Sequence, residues 1–484
     1  MKMTLKEMVE HLKVEEYDGD IDVSITGIAY DSRKIKPGDL FVCISGFAVD
    51  GHQFIAQAID KGAAGVMVEK KVGSLCIPSV RVNNTRNGLA AVSAKFFNHP
   101  TSRLKLIGIT GTNGKTTTTY LIKNILQHAG YIVGLIGTNQ NMIDEEVLST
   151  ERTTPESFEL QKLFDQMVKR QVDNVVMEVS SHALSLNRVD ECVFDVAVFT
   201  NLTQDHLDFH GSMEEYLKAK TLLFQRCKKG IVNIDDPHSD YILAHGTGEM
   251  ITFGIDKQAD IHAINVKLDA RGVSFDVVGI ASDLVHIRLG IPGKFSVYNA
   301  LGSIAACVAM NIEKDIIQSV LKTQKGVPGR AQVVETKQAY TVLIDYAHSP
   351  DGLENIIRTV KGFAKGRVVT LFGCGGDRDR TKRPIMGQIA GELSDFCIVT
   401  SDNPRTENPT CIIQDIIQGI DKTSCVYKVI ENRLEAIKYA LDNAQEEDVI
   451  ILAGKGHETY QEINGVKHPF DENIIVQELL LENT

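Results

Sequence analysis

Apolar and polar positions along the chain fall into three stretches with different rhythms. Between Ile21 and about Asn98, short β-rich runs (VSITGIAYDS, DLFVCISG, GVMVEK and SVRVNN) are punctuated by Pro-Gly, Asp-Gly and similar turn signals. The segment GHQFIAQAIDKGAAGVMVE predicts a helix and then a strand, because Phe54, Ala58 and Ile59 line one face of a 3.6-residue period. A second stretch opens after His99-Pro100. There LKLIGIT predicts a strand that runs into a glycine-rich turn and then into the helix TTTTYLIKNILQHAG, closed by Gly130. DNVVMEVS, DVAVFTN, GIVNID and MITFG predict further strands alternating with helices, as parallel βαβ units do. The third stretch starts after the turn GVPGR. TVLIDYA, RVVTLFGCGGD, DFCIVTSDNPR and DVIILAGKGHE predict strands separated by helices, the first of them DGLENIIRTVKGF. Each of these strands ends in a polar or glycine-rich tip, the place where doubly wound sheets bind ligands. The chain has no low-complexity tract or short repeat, which excludes a solenoid.

The 484 residues correspond to about three domains at roughly 150 residues each. The breaks in rhythm place them at 1–98, 99–328 and 329–484. The expected class is α/β, with a central phosphate-loop-type parallel sheet and a Rossmann-like C-terminal domain. Hydrophobic residues at 43% and charged residues at 24% suit ordinary globular cores. Lysine and arginine total 51 against 63 aspartates and glutamates, a net charge of −12, which argues against a duplex-coating protein. The nine cysteines are scattered without a CxxC pair and read as free thiols of a reducing, cytoplasmic compartment. The charged start MKMTLKEMVEHLKVEEYDGD does not read as a signal peptide, and no apolar run approaches the ~18 residues of a membrane span.

The strongest chemical signal is GITGTNGKTT, at 108–117, between a strand and a helix. Glycines let backbone amides approach phosphate, the helix start adds partial positive charge, Lys115 can span terminal phosphates and Thr116 can hold magnesium. The spacing departs from the strict phosphate-loop pattern, which would place its first glycine at Ile109; here the glycines are Gly108 and Gly111. A ligand-free glycine turn is the alternative. Glu178 ends the next strand in MEVSSHALSLNR and is either a magnesium ligand opposite Thr116 or a solvated strand end. In TNLTQDHLDFHG, His206 and His210 bracket two carboxylates suited to metal binding or proton shuttling, or to a structural loop. Lys218 and Lys220 on the following helix read by default as a solvated face.

In the last stretch, GCGGDRDRTKRP carries Arg378, Arg380 and Arg383, and SDNPRTENP carries Arg405 after the next strand. Guanidinium forks on adjacent tips suggest an anion pocket, with surface arginines as the alternative. GKGHETYQ adds Gly454, Lys455, His457 and Glu458 at the same sheet end, and a carboxylate beside arginines would suit a ligand carrying both ammonium and carboxylate.

Taken in order, GTNGKTT, EVSSHAL, HLDFHG, EEYLKAK, the tail of PGKFSVYNA, VPGRAQ, DYAHSPDGLEN, GCGGDRDRTKRP, DNPRTENP and GKGHE resemble the ATP-dependent Mur ligases of peptidoglycan synthesis over essentially the whole chain. DSRKIKPGDLF looks like that family's N-terminal substrate domain. The resemblance implies an enzyme in which ATP phosphorylates the γ-carboxylate of D-glutamate in UDP-N-acetylmuramoyl-L-alanyl-D-glutamate. An amine then attacks the acyl phosphate. It implies ATP and magnesium as cofactors, a UDP-sugar domain at 1–98, an ATP domain at 99–328 and an amino-acid domain at 329–484. It also implies a monomer that binds no nucleic acid and does not enter the membrane.

Residue by residue, the resemblance assigns catalysis to Lys115, Glu178, His206 and Lys220, with Thr116, Glu178, His206 and Lys220 at the metals. Lys220 would be carbamylated, which turns a cation into an anion and overrides the solvated-lysine reading. Gly111, Thr112, Asn113, Gly114, Lys115, Thr116 and Thr117, with Asn299, Arg330 and Asp345, would hold the nucleotide. Ser32, Thr153, Thr154, Ser180 and Arg188 would hold the UDP-sugar peptide, while no role is carried to the stretch 47–49. Arg378, Asp402, Asn403, Pro404, Arg405, Gly454 and Glu458 would hold the incoming amino acid. The form DNPR goes with meso-diaminopimelate in the resembling enzymes, and a buried Arg405 left unpaired by lysine would discriminate strongly. A lysine-adding homologue and folylpoly-γ-glutamate synthase are the rival ligases. A nucleotide-binding switch without ligase activity is the non-enzymatic rival.

Overall fold

The structure is a computed structural model that describes residues 3–47, 49–150, 152–324 and 326–482; Ala48, within the stretch given no role, lies outside the described residues. The chain divides into two compact units, Met1–Phe253 with Ala305–Ile312, and Gly254–Ile304 with Glu313–Thr484.

The first unit begins with a five-stranded sheet in the order Val14–Asp18, Ser79–Val82, Gly65–Val68, Asp39–Val42, Gly27–Ala29, parallel except for its first strand. Residues 40–42 and the strand Gly65–Val68 are buried at every position, as unbroken apolar runs with both faces covered must be. The helix Thr85–Phe96 covers one face and starts where the Asn84 side chain accepts from the N–H groups of Arg86 and Asn87. The sheet that follows runs Glu146–Leu148, Asn141–Ile143, Val133–Ile136, Asn174–Glu178, Lys105–Thr110, Phe194–Phe199, Cys227–Asn233, Glu249–Gly254. From Val133–Ile136 onward these strands are parallel. The helices Lys115–His128 and Ser157–Lys169 serve as crossovers, and Phe164, Met167, Met177 and Phe194 interlock in the core. Lys105–Thr110 lies in the middle, so the loop that follows it stands at the carboxyl edge between two neighbouring strands.

The second unit contains an antiparallel meander, Ile261–Asp269, Gly272–Gly279 and Ile287–Leu289, that the hydrophobic pattern does not announce. Its main sheet runs Gln332–Val334, Thr341–Asp345, Val449–Ala453, Val368–Phe372, Phe396–Val399, Val426–Val429, parallel except for the first strand. The last parallel strand in sequence, Val449–Ala453, inserts between the first two. That reversal of strand order gathers the tips after Asp345, Phe372, Val399 and Ala453 at one end of the sheet. Leu371, Ile398, Ile450 and Leu452 form the core beneath them. A hairpin of Tyr460–Ile463 and Val466–Pro469 and the helix Glu472–Glu482 complete the unit. No helix among the described residues is long and apolar enough to cross a membrane.

Candidate active site

In the first unit the loop 111–114 is fixed by its neighbour. Thr112 N–H donates to the Asn201 carbonyl at 2.9 Å, Asn113 N–H to Asn201 Oδ1 at 2.9 Å, and Thr200 Oγ1 to the Asn113 carbonyl at 2.6 Å. A Cβ on Gly111 would stand 1.9 Å from Thr200 Oγ1, so only glycine lets the loop lie this close. Gly114 turns the chain at φ +85° into the helix Lys115–His128, whose first N–H groups end the loop as an anion cradle. Lys115 Nζ donates to the Gly111 and Thr112 carbonyls, each at 2.9 Å, and Thr116 and Thr117 are buried behind it.

Glu178 is 1% exposed and pairs in register with Ile109 on the strand that leads into the loop. Its carboxylate accepts from Thr138 N–H at 2.9 Å and Thr138 Oγ1 at 3.0 Å. Thr138 Oγ1 lies 3.0 Å from Thr153 Oγ1, and Thr154 Oγ1 donates to the Glu178 carbonyl at 2.8 Å. Ser180 N–H donates to Thr154 Oγ1 at 3.1 Å, and Arg188 Nη1 donates to the Thr154 carbonyl at 3.1 Å. The structure thus brings Thr153, Thr154, Ser180 and Arg188 together with Glu178. A partner that the sequence reading missed is Glu156, which faces Arg188 at 3.2 Å, Arg152 at 3.5 Å and Arg86 at 3.7 Å.

His206 sits at φ +52°, against the edge of the His182 ring at 4.8 Å and 3.4 Å from Asp205. No contact joins it to Glu178 among the described residues. His210 shares His182 and Tyr216 with His206 as ring neighbours: its Nε2 lies 2.9 Å from Ser181 Oγ and its ring stacks on Tyr216 at 4.8 Å. Burial, with His182 and Lys220 nearby, pushes His210 down to about 4, so it is a neutral packing group.

The helix Met213–Thr221 separates its two candidate lysines sharply. Lys218 is exposed and pairs with Glu214 at 2.7 Å and Glu215 at 2.9 Å. Lys220 is 1% exposed, with Nζ 4.4 Å above the Tyr216 ring. It makes no hydrogen bond or ion pair among the described residues. Burial first, and then the charge of Lys115, hold it well below the ordinary lysine range. The solvated-face reading therefore holds for Lys218 and fails for Lys220. Tyr216 also places its hydroxyl 3.2 Å from Thr112 Oγ1, linking this helix to the loop.

Among the described residues, no three His, Cys, Asp or Glu side chains converge as a ready-made metal site. Thr116 and Glu178 nevertheless offer two hard oxygens beside an anion cradle. That donor set suits magnesium, which keeps waters and phosphate oxygens among its ligands. Beside the five-stranded N-terminal sheet, Ser32 is buried, and its Oγ donates to Gln57 Oε1 at 2.8 Å.

In the second unit, Asp345 accepts from Ala331 N–H at 2.7 Å and Ala347 N–H at 2.9 Å, and burial raises its carboxyl although Arg330 is near. The Arg330 guanidinium lies 5.2 Å over the Tyr346 ring, which also meets the rings of His348 at 4.5 Å and His457 at 4.9 Å. Asn299 is buried on the helix Lys294–Ala309, and its carbonyl accepts from Ser303 Oγ at 2.7 Å.

Three strand tips of this unit are welded together. A Cβ on Gly376 would meet the Pro404 carbonyl at 1.9 Å, and one on Gly454, at φ +113°, would meet Asp402 at 2.6 Å. Asn403 Nδ2 donates to Glu458 at 2.8 Å. Lys455, fully buried, donates to Asn403 Oδ1 at 3.1 Å and Glu458 at 3.3 Å, and lies 3.8 Å from Asp402. The sequence reading placed Lys455 at this tip without a role; one lysine between glycines carries no signal of the carboxylates it will meet.

The four arginines divide. Arg383 is fully buried and paired with Glu407 at 2.8 Å and Asp415 at 3.0 Å, and Arg380 reaches Asp415 at 3.1 Å. These two belong to the scaffold. Arg378 is exposed and makes no hydrogen bond or ion pair among the described residues. Arg405, at φ +50°, donates to the Gly376 carbonyl at 2.8 Å and pairs with Glu462 at 3.2 Å. The expectation of a buried Arg405 that lysine would leave unpaired is corrected: its side chain is 23% exposed and pairs with Glu462. Glu462 and Gln461, which holds the Asp402 carbonyl at 2.6 Å, come from the hairpin that sequence reasoning missed.

Three family models cover most of the chain: "Mur ligase family, catalytic domain" at 24–96, "Mur ligase middle domain" at 109–307 and "Mur ligase, glutamate ligase domain" at 329–456. The UDP-N-acetylmuramoyl-L-alanyl-D-glutamate--2,6-diaminopimelate ligase 1 of Clostridium acetobutylicum is 48% identical over 487 residues, spanning 99% of this chain and 100% of the relative. The enzyme of the same name, without the numeral, from Caldanaerobacter subterraneus subsp. tengcongensis is 50% identical over 483 residues, spanning 99% and 100%. A solved structure of a UDP-N-acetylmuramoyl-L-alanyl-D-glutamate--2,6-diaminopimelate ligase superposes with a TM-score of 0.73 at 30% identity, covering 100% of this chain and 99% of its own. Because the three models follow one another along most of the chain and relatives near half identity match it end to end, this chain belongs to the Mur ligase family.

Proposed function

We propose that this protein is the ATP-dependent, ADP-forming ligase that joins meso-2,6-diaminopimelate to the γ-carboxylate of D-glutamate in UDP-N-acetylmuramoyl-L-alanyl-D-glutamate, a cytoplasmic step of peptidoglycan and cell-wall synthesis. The observation that carries the reading is the end of the C-terminal sheet. Arg378 and Arg405 offer cationic forks beside Asp402 and Glu458, a charge pattern that fits an amino acid with ammonium and carboxylate at both ends. The curated relatives, which span the whole chain, favour this assignment over a lysine-adding homologue and over folylpoly-γ-glutamate synthase.

The residues support the reaction by holding and positioning. The loop 111–117 and Lys115 cradle the ATP phosphates, and Asn299, Arg330 and Asp345 are the further nucleotide-binding candidates. Ser32, Thr153, Thr154, Ser180 and Arg188 orient the UDP-sugar peptide so that its γ-carboxylate meets the γ-phosphate. Asp402, Asn403, Arg405, Gly454 and Glu458, with Arg378, orient the amine for attack on the acyl phosphate. Thr116, Glu178, His206 and Lys220 would hold magnesium, which when bound neutralises charge on the phosphate oxygens. Burial disfavours the Lys220 ammonium, and the free amine is the form that adds carbon dioxide to give a carbamate. On this reading 1–98, 99–328 and 329–484 are the UDP-sugar, ATP and amino-acid domains of a monomer.

Phosphate release measured with each amino acid at saturating ATP and UDP-muramoyl dipeptide tests the proposal. Turnover with meso-diaminopimelate and little with L-lysine is expected. Equal use of lysine, or turnover with a folate substrate in place of the dipeptide, would overturn it.

A further inference from the structure

Cys397 and Cys425 meet at the edge of the six-stranded sheet. Cys397 is buried in the strand Phe396–Val399, and Cys425 stands half-buried one residue before the edge strand Val426–Val429, with the two Sγ atoms 3.7 Å apart. We propose that this pair is a peroxide-sensitive dithiol that closes into an intramolecular disulfide, with Cys425 as the attacked thiol and Cys397 as the resolving one.

Three features support the assignment. The sulfurs are already in van der Waals contact, and bond formation at about 2.05 Å requires them to approach by only about 1.7 Å. Cys425 has room to make that movement, because Val426–Val429 is paired on one side only and Val426 is 67% exposed. The buried thiols elsewhere are poor nucleophiles: burial pushes Cys43, Cys227 and Cys374 up to about 12. Cys425 is drawn the other way, below the ordinary thiol range, by the hydrogen bond it shares with the Cys397 sulfur. That contact and burial raise Cys397, so Cys425 is the thiol that ionises first and Cys397 acts only once a sulfenic acid stands beside it. An accessible thiol with a lowered pKa, beside a second thiol able to resolve it, is the arrangement that redox-responsive cysteines share.

The chemistry balances with a hydroperoxide as oxidant. The Cys425 thiolate attacks the distal oxygen, an S–O bond forms as the O–O bond breaks, and the departing alkoxide or hydroxide takes a proton. The Cys397 sulfur then attacks the Cys425 sulfenic acid. The S–S bond forms, the S–O bond breaks, and the released hydroxide combines with the Cys397 proton as water. Two thiols lose two electrons in total and the hydroperoxide gains them. A dithiol reductant reverses the linkage.

The test treats the full-length protein with hydrogen peroxide under native conditions, alkylates it and maps its peptides without reduction. We expect a loss of 2 Da, a linked peptide joining Cys397 to Cys425 that dithiothreitol releases, and two of the nine cysteines protected from alkylation. Cys397→Ala should abolish the link and leave Cys425 trapped by dimedone as the sulfenic acid. Cys425→Ser should abolish the link and leave Cys397 reduced. Oxidation of the exposed Cys76 or Cys411 while Cys397 and Cys425 remain thiols would overturn the proposal. So would conversion of Cys425 to sulfinic acid without a linked peptide.

Discussion

The loop at 111–117 and the three welded tips of the C-terminal sheet are both built at the carboxyl ends of parallel strands, yet they handle charge in opposite ways. In the first, Lys115 is turned onto backbone carbonyls and Lys220 lies buried over a ring face, each met by dipoles or π electrons. In the second, Lys455 is shared among Asn403, Glu458 and Asp402, and Arg405 holds Glu462. On the proposed reading, Lys220, which has no anionic partner among the described residues, acquires its negative charge by carbamylation, and the loop is completed by an anionic ligand. A cluster whose charges are already paired is shaped before the ligand arrives, and it selects by geometry and by exchange of partners.

The strongest way to break this comparison is to remove Lys220. Lys220→Ala removes a lysine that lies buried over the Tyr216 ring with no anionic partner among the described residues, so turnover should fall by about 10²–10³-fold or more. ATP binding, which the proposal assigns to the loop 111–117, should remain near that of the parent, and a short carboxylic acid should restore part of the turnover by occupying the proposed carbamate position. Titration calorimetry with a non-hydrolysable ATP analogue alongside phosphate release measures both halves. Parental turnover in the variant would remove the carbamate from the proposal.

Arg405→Ala tests the second cluster. Loss of the fork should raise the Michaelis constant for meso-diaminopimelate by about 10- to 100-fold and leave that for ATP within about twofold. Arg405 is already partnered by Glu462, so on the proposed reading discrimination against lysine arises from exchanging one carboxylate for another. We therefore expect selectivity at the lower end of what a wholly unpaired buried arginine would give. An unchanged constant for diaminopimelate would assign its carboxylate elsewhere, with Arg378 the next candidate.

The sequence made the buried strands legible because parallel strands covered on both faces must be continuous apolar runs, as in Asn174–Glu178 and Val449–Ala453. The glycine-lysine-threonine loop was legible because its residue types sit where a strand meets a helix. The hairpin Tyr460–Ile463 with Val466–Pro469 was not: its second strand is exposed throughout, so no alternation marks it, although it supplies Gln461 and Glu462 to the site. Arg380 and Arg383 read as ligand-binding groups because their partners lie far along the chain, Asp415 being 35 and 32 residues on and Glu407 24 residues from Arg383. A charge in a loop has the same letter whether it meets a ligand or a carboxylate brought near by folding.

Lys455→Met sharpens the comparison at lower amplitude. It leaves Glu458 and Asp402 without their shared cation, and two uncompensated carboxylates repel the carboxylates of the incoming amino acid. The Michaelis constant for meso-diaminopimelate should rise about tenfold, and Tm should fall by several degrees, because an ammonium that is fully buried also joins two strand tips. A drop in Tm with no change in that constant would make Lys455 purely structural.

The smallest effect should come from the neighbour of the residue with the largest. Lys218 is two positions from Lys220 on the helix Met213–Thr221, which places the two side chains roughly 200° apart around the axis. Its carboxylate partners Glu214 and Glu215 are exposed with it, and ion pairs of that kind are screened by water and salt. Lys218→Ala should therefore leave turnover and all three Michaelis constants within about twofold and Tm within about 2 °C. If Lys218→Ala instead reproduced the loss seen for Lys220→Ala, the effect would belong to the helix as a whole, and the contrast between a paired and an unpaired lysine would carry no information about the reaction.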